Sequence, residues 1–134
     1  MADAVSTTTI EDGPRQLVVQ LTNLSDNSGE TKVTKIDVSA LASDSLGNAC
    51  NEVRIQEIWA QVYGFDGVQL WYDADTDVVA FNAGVGWTHQ DFSTVGGLKM
   101  YGTNATGDVL LSTLGTEASG DAYQMVIRAV KYYA

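Results

Sequence analysis

A run of apolar and aromatic residues near the middle of the chain, residues 52–63, constrains the fold more than any other feature. It is followed by a turn at residues 64–67, a second apolar run at 68–72, an acidic corner at 73–77 and a third run at 78–81. β-Branched and aromatic side chains fill the runs, which favours strands. Gly and Asp fill the connections, which favours tight turns. The stretch therefore predicts three strands joined by tight turns.

The first of these runs also has a helical interpretation. Its apolar side chains at positions 55, 58, 59, 62 and 63 recur at helical spacing, Asn51 is a suitable N-cap and Gly64 is a suitable end. The β-branched content, the aromatic residues and the turn that follows favour a strand instead. In a strand the alternation slips, because the apolar residues before position 56 and those after position 57 fall on opposite faces. This slip predicts a β-bulge near Gln56 and Glu57.

Other segments add strands on the same grounds. Residues 16–24 alternate apolar and polar side chains and residues 35–40 do so again, which predicts an antiparallel hairpin with one solvated face. Short strands are expected at 98–101 and 109–114. Residues 121–133 carry apolar side chains on both faces, as an interior strand does. About eight short strands with turns between them predict an all-β fold, an antiparallel β-sandwich or jelly-roll-like barrel.

The first 14 residues are small, polar and rich in Thr, and they end at the only proline of the chain. Ordering about ten such residues costs on the order of 10–20 kcal/mol of backbone entropy, which about 400–800 Å² of buried apolar surface would offset. Val5 and Ile10 offer too little apolar surface for that. We therefore predict an extended N-terminal arm, residues 1–14, that other protein chains order, followed by one β-sandwich domain, residues 15–134. The alternative is a segment that lies along the edge of its own sheet.

Composition limits the classes of function. A chain of 134 residues suits a single domain with its own core. The net charge of -10, from 17 acidic and 7 basic side chains, argues against a nucleic-acid partner and favours a soluble surface that repels its own copies. Cys50 is the only cysteine, so no internal disulfide forms. Neither a signal segment nor a membrane-length apolar run is present, and we expect a soluble chain made without export and without a membrane partner.

The sharpest local pattern that carries chemistry is a set of alternating carboxylates, Asp73, Asp75 and Asp77. This spacing matches the opening of a calcium-binding loop. The match then ends, because Val78 stands where such a loop needs glycine and Gly84 where it needs a bidentate glutamate. The three aspartates are thus a candidate calcium site, and the alternative is an acidic turn that connects two strands.

Catalytic groups are sparse in the sequence. His89 is the only histidine and no cysteine pair accompanies it, so the usual zinc site cannot be assembled. Cys50 and His89 would form a nucleophile and base pair only if the fold brought them together, and no surrounding signature indicates that. We expect neither an enzyme nor a bound cofactor.

The aromatic residues of the central stretch and of the segment after it have two interpretations. Trp59, Trp71 and Trp87, with Tyr63 and Tyr72, would form a platform for stacking sugars if they shared one exposed face. Aromatic side chains also anchor cores and protein interfaces, because each buries a large area.

Several short segments together resemble a family of small structural proteins of tailed bacteriophages, often marine ones. The similarity covers most of the chain after the arm. It lies in residues 33–41 (VTKIDVSAL), residues 53–56 (VRIQ) with Trp59, residues 70–77, Asp91-Phe92 before Gly96-Gly97-Leu98, and residues 107–113 (GDVLLST). The resemblance implies a virion component with a β-sandwich fold, made in the host bacterial cytoplasm.

Within that family the resemblance implies a capsid decoration or cement protein. We expect such a protein to form a homotrimer on the capsid exterior and to bind the major capsid protein. We predict that its partner contacts lie in the arm, at Val5, Thr8 and Ile10, and at the C-terminal end, at Tyr132 and Tyr133. The alternative function is a glycan-binding module of the virion tail or fibre that uses the exposed aromatic residues.

Overall fold

The computed structural model describes residues 4–26, 29–100, 102–115 and 119–133. Within them lie nine β-strands and two single-turn 3-10 helices, at Val38–Ala40 and Ser93–Val95. The strands are β1 (Ala4–Asp12), β2 (Gln16–Asp26), β3 (Val33–Ile36), β4 (Cys50–Tyr63), β5 (Gly67–Tyr72), β6 (Val78–Ala83), β7 (Gly86–Asp91), β8 (Val109–Leu114) and β9 (Ser119–Tyr133).

The strands form two antiparallel sheets that face each other. One sheet has the order β1-β2-β9-β4-β7 and the other has the order β3-β8-β5-β6. Strands β2 to β9 therefore form two four-stranded sheets in the jelly-roll arrangement, and β1 extends the first of them by one strand. The prediction of an all-β antiparallel sandwich of the jelly-roll type is confirmed.

The core lies between the sheets, and β4 contributes most to it. Val53, Ile55, Ile58, Ala60 and Val62 are all buried. The pairing of β4 with β9 shifts register between positions 55 and 57, so one extra residue realigns the two halves of the strand. The predicted strand and its bulge are confirmed, and the helical interpretation of this run is wrong.

The predicted hairpin of residues 16–24 with residues 35–40 is wrong. Strand β2 lies between β1 and β9, whereas β3 belongs to the opposite sheet and pairs with β8. Strand β3 ends at Ile36, and a 3-10 turn follows in which the backbone N–H of Ser39 donates to the Asp37 carboxylate at 3.0 Å. Alternation of apolar and polar residues indicates which face of a strand is buried, but it does not identify the neighbouring strand with which it pairs.

The central stretch does contain three strands, but they do not form one sheet. Strand β4 lies in the five-stranded sheet, and β5 and β6 pair in the four-stranded sheet. The turn between β4 and β5 crosses the sandwich, and Phe65 within it is buried against the ring of Tyr123. The predicted strand at 98–101 reduces to a single bridge between Leu98 and Ile55, and its last residue lies outside the described residues.

Most of the predicted N-terminal arm, residues 4–12, forms β1, which pairs antiparallel with β2. Apolar burial is not the only source of order for this segment, because each hydrogen bond of the backbone ladder contributes a net 0.5–1.5 kcal/mol or so. Contact of the arm with other protein chains stays a prediction. The alternative, a segment along the edge of its own sheet, describes residues 4–12, and residues 1–3 lie outside the described residues.

A buried tyrosine in β5 predicts how the fold responds to alkali. The Tyr72 hydroxyl donates to the carbonyl of Leu98 at 2.5 Å, and burial raises its pKa above the ordinary value of 10.0. Above pH 10.0 the unfolded chain loses this proton while the folded chain keeps it, so the free energy of unfolding falls as pH rises. We expect Tyr72→Phe to flatten this fall, and to cost about 1–3 kcal/mol at neutral pH by leaving the Leu98 carbonyl without its donor.

Urea unfolding across the alkaline range measures both effects. Tyr63→Phe is the matched control, because the Tyr63 side chain is exposed, and it should keep the slope of the unaltered protein. An alkaline slope that is the same in Tyr72→Phe as in the unaltered protein would contradict the prediction.

Candidate functional site

The three candidate calcium ligands each bond to a different partner in the turn between β5 and β6. The Asp73 carboxylate accepts a hydrogen bond from the Thr106 hydroxyl at 2.9 Å, and Asp75 accepts from the Asn104 amide at 2.8 Å. Asp77 accepts from the backbone N–H of Ala74 at 3.1 Å and pairs with a lysine ammonium. In the part of the chain that the structure describes, no three acidic, histidine or cysteine side chains converge as a metal site.

These bonds explain the electrostatics of the acidic turn. The backbone N–H of Ala74, then the Lys32 ammonium 3.2 Å away, hold the pKa of Asp77 below its ordinary value. The lowered pKa indicates a carboxylate that stays charged and bonded within the turn. The acidic turn thus connects two strands, which was the alternative to a calcium loop.

Cys50 and His89 lie far apart. Cys50 begins β4, whereas His89 pairs with Trp59, nine residues further along the same strand. At about 3.3 Å per residue this separates them by roughly 30 Å. Burial raises the pKa of the Cys50 thiol, which disfavours the reactive thiolate. The structure does not bring the two residues together as a catalytic pair.

The five aromatic residues that would make a sugar platform divide among three environments. Tyr72 is buried in the core. Trp71 lies on the outer side of the four-stranded sheet, with the Lys32 ammonium 4.5 Å from its ring centre. Trp59, Tyr63 and Trp87 share the outer face of the five-stranded sheet, so only these three remain together.

That outer face contains a surface that we call the neutral face, because among its described residues there is no Asp, Glu, Lys or Arg. It consists of three rows of cross-strand neighbours, two that run from β1 to β7 and one that runs from β1 to β4. Its members are Ser6, Thr8, Gln20, Thr22, Leu24, Trp59, Gln61, Tyr63, Trp87, His89, Ala122, Gln124 and Val126.

Several large side chains of the neutral face are open to solvent. Trp87 is 66% exposed, Tyr63 is 55% exposed and Leu24 is 54% exposed. Amide and hydroxyl side chains surround them. On a chain of net charge -10, a continuous uncharged surface with exposed aromatic rings is unusual, because it is depleted of the groups that cover the rest of the exterior.

A hydrogen-bonded cluster fixes one end of the neutral face. The imidazole of His89 stacks on the indole of Trp59, with ring centres 5.3 Å apart and planes 6° from parallel. The carboxylate of Glu57, in the adjoining row, contacts His89 Nε2 at 2.6 Å and the Arg128 guanidinium at 3.2 Å. These contacts hold two aromatic rings in fixed orientations, so the surface is organised before any ligand arrives.

The predicted partner residues of the arm lie on β1. Val5 and Ile10 are about half exposed and Thr8 is exposed, and Thr8 belongs to the neutral face. Strand β1 is the edge of its sheet, and within the described ranges no other strand pairs with its outer side. The arm residues are therefore available to a partner, and their role in binding stays a prediction.

The predicted partner residues at the C-terminal end make contacts within the chain. The ring of Tyr132 lies 4.2 Å from the Arg54 guanidinium, and the Tyr133 hydroxyl donates to the carbonyl of Pro14. Tyr133 thereby holds the turn between β1 and β2. Both side chains are half-buried, and their contact with a partner also stays a prediction.

The neutral face is not recognisable as a unit in the sequence. Its members come from five strands, and only the register of the sheet shows that they are neighbours. One signal was present, because the outward positions 20, 22, 24 and 122, 124, 126 lack charges on two strands of a strongly acidic chain.

Comparisons with protein-family models, with curated proteins and with solved structures give no match. In the described ranges no helix is long and apolar enough to cross a membrane.

Proposed function

We propose that this chain is a structural protein of a bacteriophage virion, a capsid decoration or cement protein that binds the outside of the shell through the neutral face. The observation that carries the proposal is the uncharged, aromatic surface on a chain of net charge -10. Depletion of charge and enrichment in Trp and Tyr are features of the centre of protein interfaces. The resemblance to small phage structural proteins supplies the virion context.

The size of the neutral face bears on how such a protein would hold a shell. Five strands about 4.8 Å apart and six residues of about 3.4 Å each give roughly 490 Å² of projected area. A standard interface buries about 800 Å² on each partner. One copy bound through this face alone would have a modest affinity for the shell, and clustering of copies would raise the overall affinity through avidity.

The proposed role requires no catalytic group in the chain. A rigid sandwich with a preformed contact face fastens shell subunits by burying surface, and its acidic remainder keeps free copies soluble. The proposed partner is the major capsid protein on the capsid exterior. The predicted homotrimer belongs to the same proposal for copies bound to the shell, and three-fold clusters of the chain in images of intact particles test it.

Imaging of intact particles tests the function directly. We expect hundreds of copies spread over the head, with Trp87 and Tyr63 turned towards the shell. Particles that carry the chain only at the tail would contradict the proposal.

A binding assay with undecorated shells tests the contact face. Trp87→Ser should weaken binding about ten-fold or more, because Trp is enriched among the residues that dominate binding energy at protein interfaces. Val95→Ser is the control, because Val95 is similarly exposed, at 75%, but lies in the second 3-10 helix and not on the neutral face. Equal losses in the two variants would contradict a specific role for the neutral face.

A second candidate function is glycan binding by a tail or fibre component. The observation that favours it is the row in which the exposed Trp87 lies beside Gln61, which in turn lies beside Gln124. An aromatic ring beside amide groups offers stacking and hydrogen bonds to a sugar. A glycan array, with Trp87→Ser as the negative control, and a copy number of a few at the tail would support this function over the first.

A further inference from the structure

Strand β1 adds almost nothing to the core of its own domain. Every side chain from Val5 to Glu11 is exposed, and in the described part of the chain β1 pairs with β2 alone. The opposite sheet has one strand fewer and does not cover it. Both faces of β1 are therefore exposed to solvent, and its outer edge is unpaired.

The unpaired edge of β1 lacks the features that usually prevent an edge strand from pairing with another chain. Exposed edges are usually protected by charged side chains, by proline, by bulges or by short length. Residues 4–10 contain neither charge nor proline, Thr7 to Ile10 are all β-branched, and the register shift comes only after Thr9. The backbone N–H and C=O groups on the outer side of this segment form a template for another strand.

We propose that β1 of one copy pairs antiparallel with β1 of a second copy, so that two five-stranded sheets join into one of ten strands. An antiparallel pair of identical strands is self-complementary about a two-fold axis, as an isologous contact requires. Centred on Thr7, the pairing sets Ser6 opposite Thr8 and Val5 opposite Thr9. All of these side chains are uncharged.

Charge permits a second copy to approach along this segment. Residues 4–10 carry no charge, so a pairing centred on Thr7 brings no charged side chains together within them. The carboxylates nearest to this segment in the sequence are Asp3 and Glu11, which flank it, and two chains of net charge -10 repel each other. Salt screens such repulsion. Higher salt should therefore strengthen the pairing.

Contacts at the far end of β1 fasten the strand to its own sheet, which favours pairing along its edge over exchange of the strand between copies. The ammonium of Lys131, in β9, contacts the Asp12 carboxylate and donates to the carbonyl of Gly13 at 2.8 Å. These contacts hold β1 on its own sheet while its outer edge pairs.

The pairing also enlarges the neutral face, a consequence that rests on the proposed function. A two-fold axis through an antiparallel strand pair is perpendicular to the sheet, so both outer faces point the same way. Two neutral faces become one surface of roughly twice the area. The pairing itself does not depend on a shell and is tested on the purified chain.

Analytical ultracentrifugation across a wide range of concentrations measures the pairing. We expect a concentration-dependent dimer that salt strengthens. Thr7→Lys should raise the dissociation constant about ten-fold or more, because it sets two ammonium groups opposite each other, and Thr7→Glu should do the same. A mixture of the two variants should recover a one-to-one dimer, since opposite charges then meet.

Thr94→Lys is the matched control, because Thr94 is exposed on the second 3-10 helix, and it should leave the dimer unchanged. Hydrogen exchange gives an independent measurement, in which alternate amides of β1 gain protection as dimer forms. A single-chain mass at every concentration, or an association that Thr7→Lys and Thr94→Lys affect equally, would overturn the proposal. Loss of shell binding with the dimer intact would count against the proposed function alone.

Discussion

Replacing Lys131 with methionine is expected to lower the free energy of unfolding by about 3–5 kcal/mol, because it leaves two backbone carbonyls without their donor and the partly exposed Asp12 carboxylate without its countercharge. The Lys131 side chain is fully buried and contacts the carboxylate of Asp12. Its ammonium also donates to the carbonyls of Gly13 and Ala42, each at 2.8 Å. One side chain thereby joins β9, the end of β1 and the loop before β4.

The effect of Lys131→Met should depend on pH in a known direction. Burial lowers the pKa of Lys131, but the hydrogen bond and charge of Asp12 outweigh it and raise the pKa above its ordinary value of 10.5. The stabilisation is therefore complete below pH 10.5 and is lost as pH rises through the folded-state pKa. Urea unfolding at neutral and alkaline pH should show a difference between variant and unaltered protein that shrinks in alkali.

Lys99→Met is the control for the loss of a lysine, because Lys99 is exposed, and it should change stability by no more than about 0.5 kcal/mol. Hydrogen exchange should also show faster opening of β1 in Lys131→Met, since the strand loses its anchor. Equal stabilities of the Lys131 and Lys99 variants would contradict the role assigned to the buried ammonium.

Replacing Lys35 with methionine is expected to cost a similar amount, about 3–5 kcal/mol, at the opposite side of the core. The Lys35 ammonium lies 2.5 Å from the Glu30 carboxylate, and the two side chains are 3% and 5% exposed. The Tyr123 hydroxyl donates to the other oxygen of the same carboxylate at 2.5 Å. These bonds connect β3 and the residues before it to β9 in the other sheet.

A double substitution separates the charge effect from the loss of packing. Glu30→Gln combined with Lys35→Met removes both charges and keeps a group that accepts from Tyr123, so it should recover part of the stability that Lys35→Met loses. Urea unfolding of the two single variants and the double variant completes the cycle. A double variant less stable than either single one would show that packing, not the unpaired carboxylate, dominates.

The strands were predictable because β-propensity and alternation are local properties. The run at β4 shows this most clearly, since its β-branched content indicated a strand and the slip in its alternation located the bulge near Gln56. Strand pairing was not predictable in the same way. The inward faces of β2 and β3 have the same apolar pattern although they belong to different sheets, so the pattern could not assign their neighbours.

The burial of charged residues was also not predictable from the local sequence. Lys35 was expected on a solvated face and is buried, because Glu30 and Tyr123 meet it there. Lys131 is buried because Asp12, 119 positions earlier in the chain, reaches it. A lysine enters a core only where partners compensate its charge, and those partners come from distant segments.

The sequence by itself determined that this chain is an acidic all-β domain, where most of its strands lie and that one of them is bulged. These properties depend on side chains within a few residues of each other. Only the tertiary structure decided that residues 4–12 form an edge strand, that two lysines are buried and that uncharged side chains from five strands make one surface. The reason is that strand register places residues far apart in the chain side by side, and contact energies act only over such short distances.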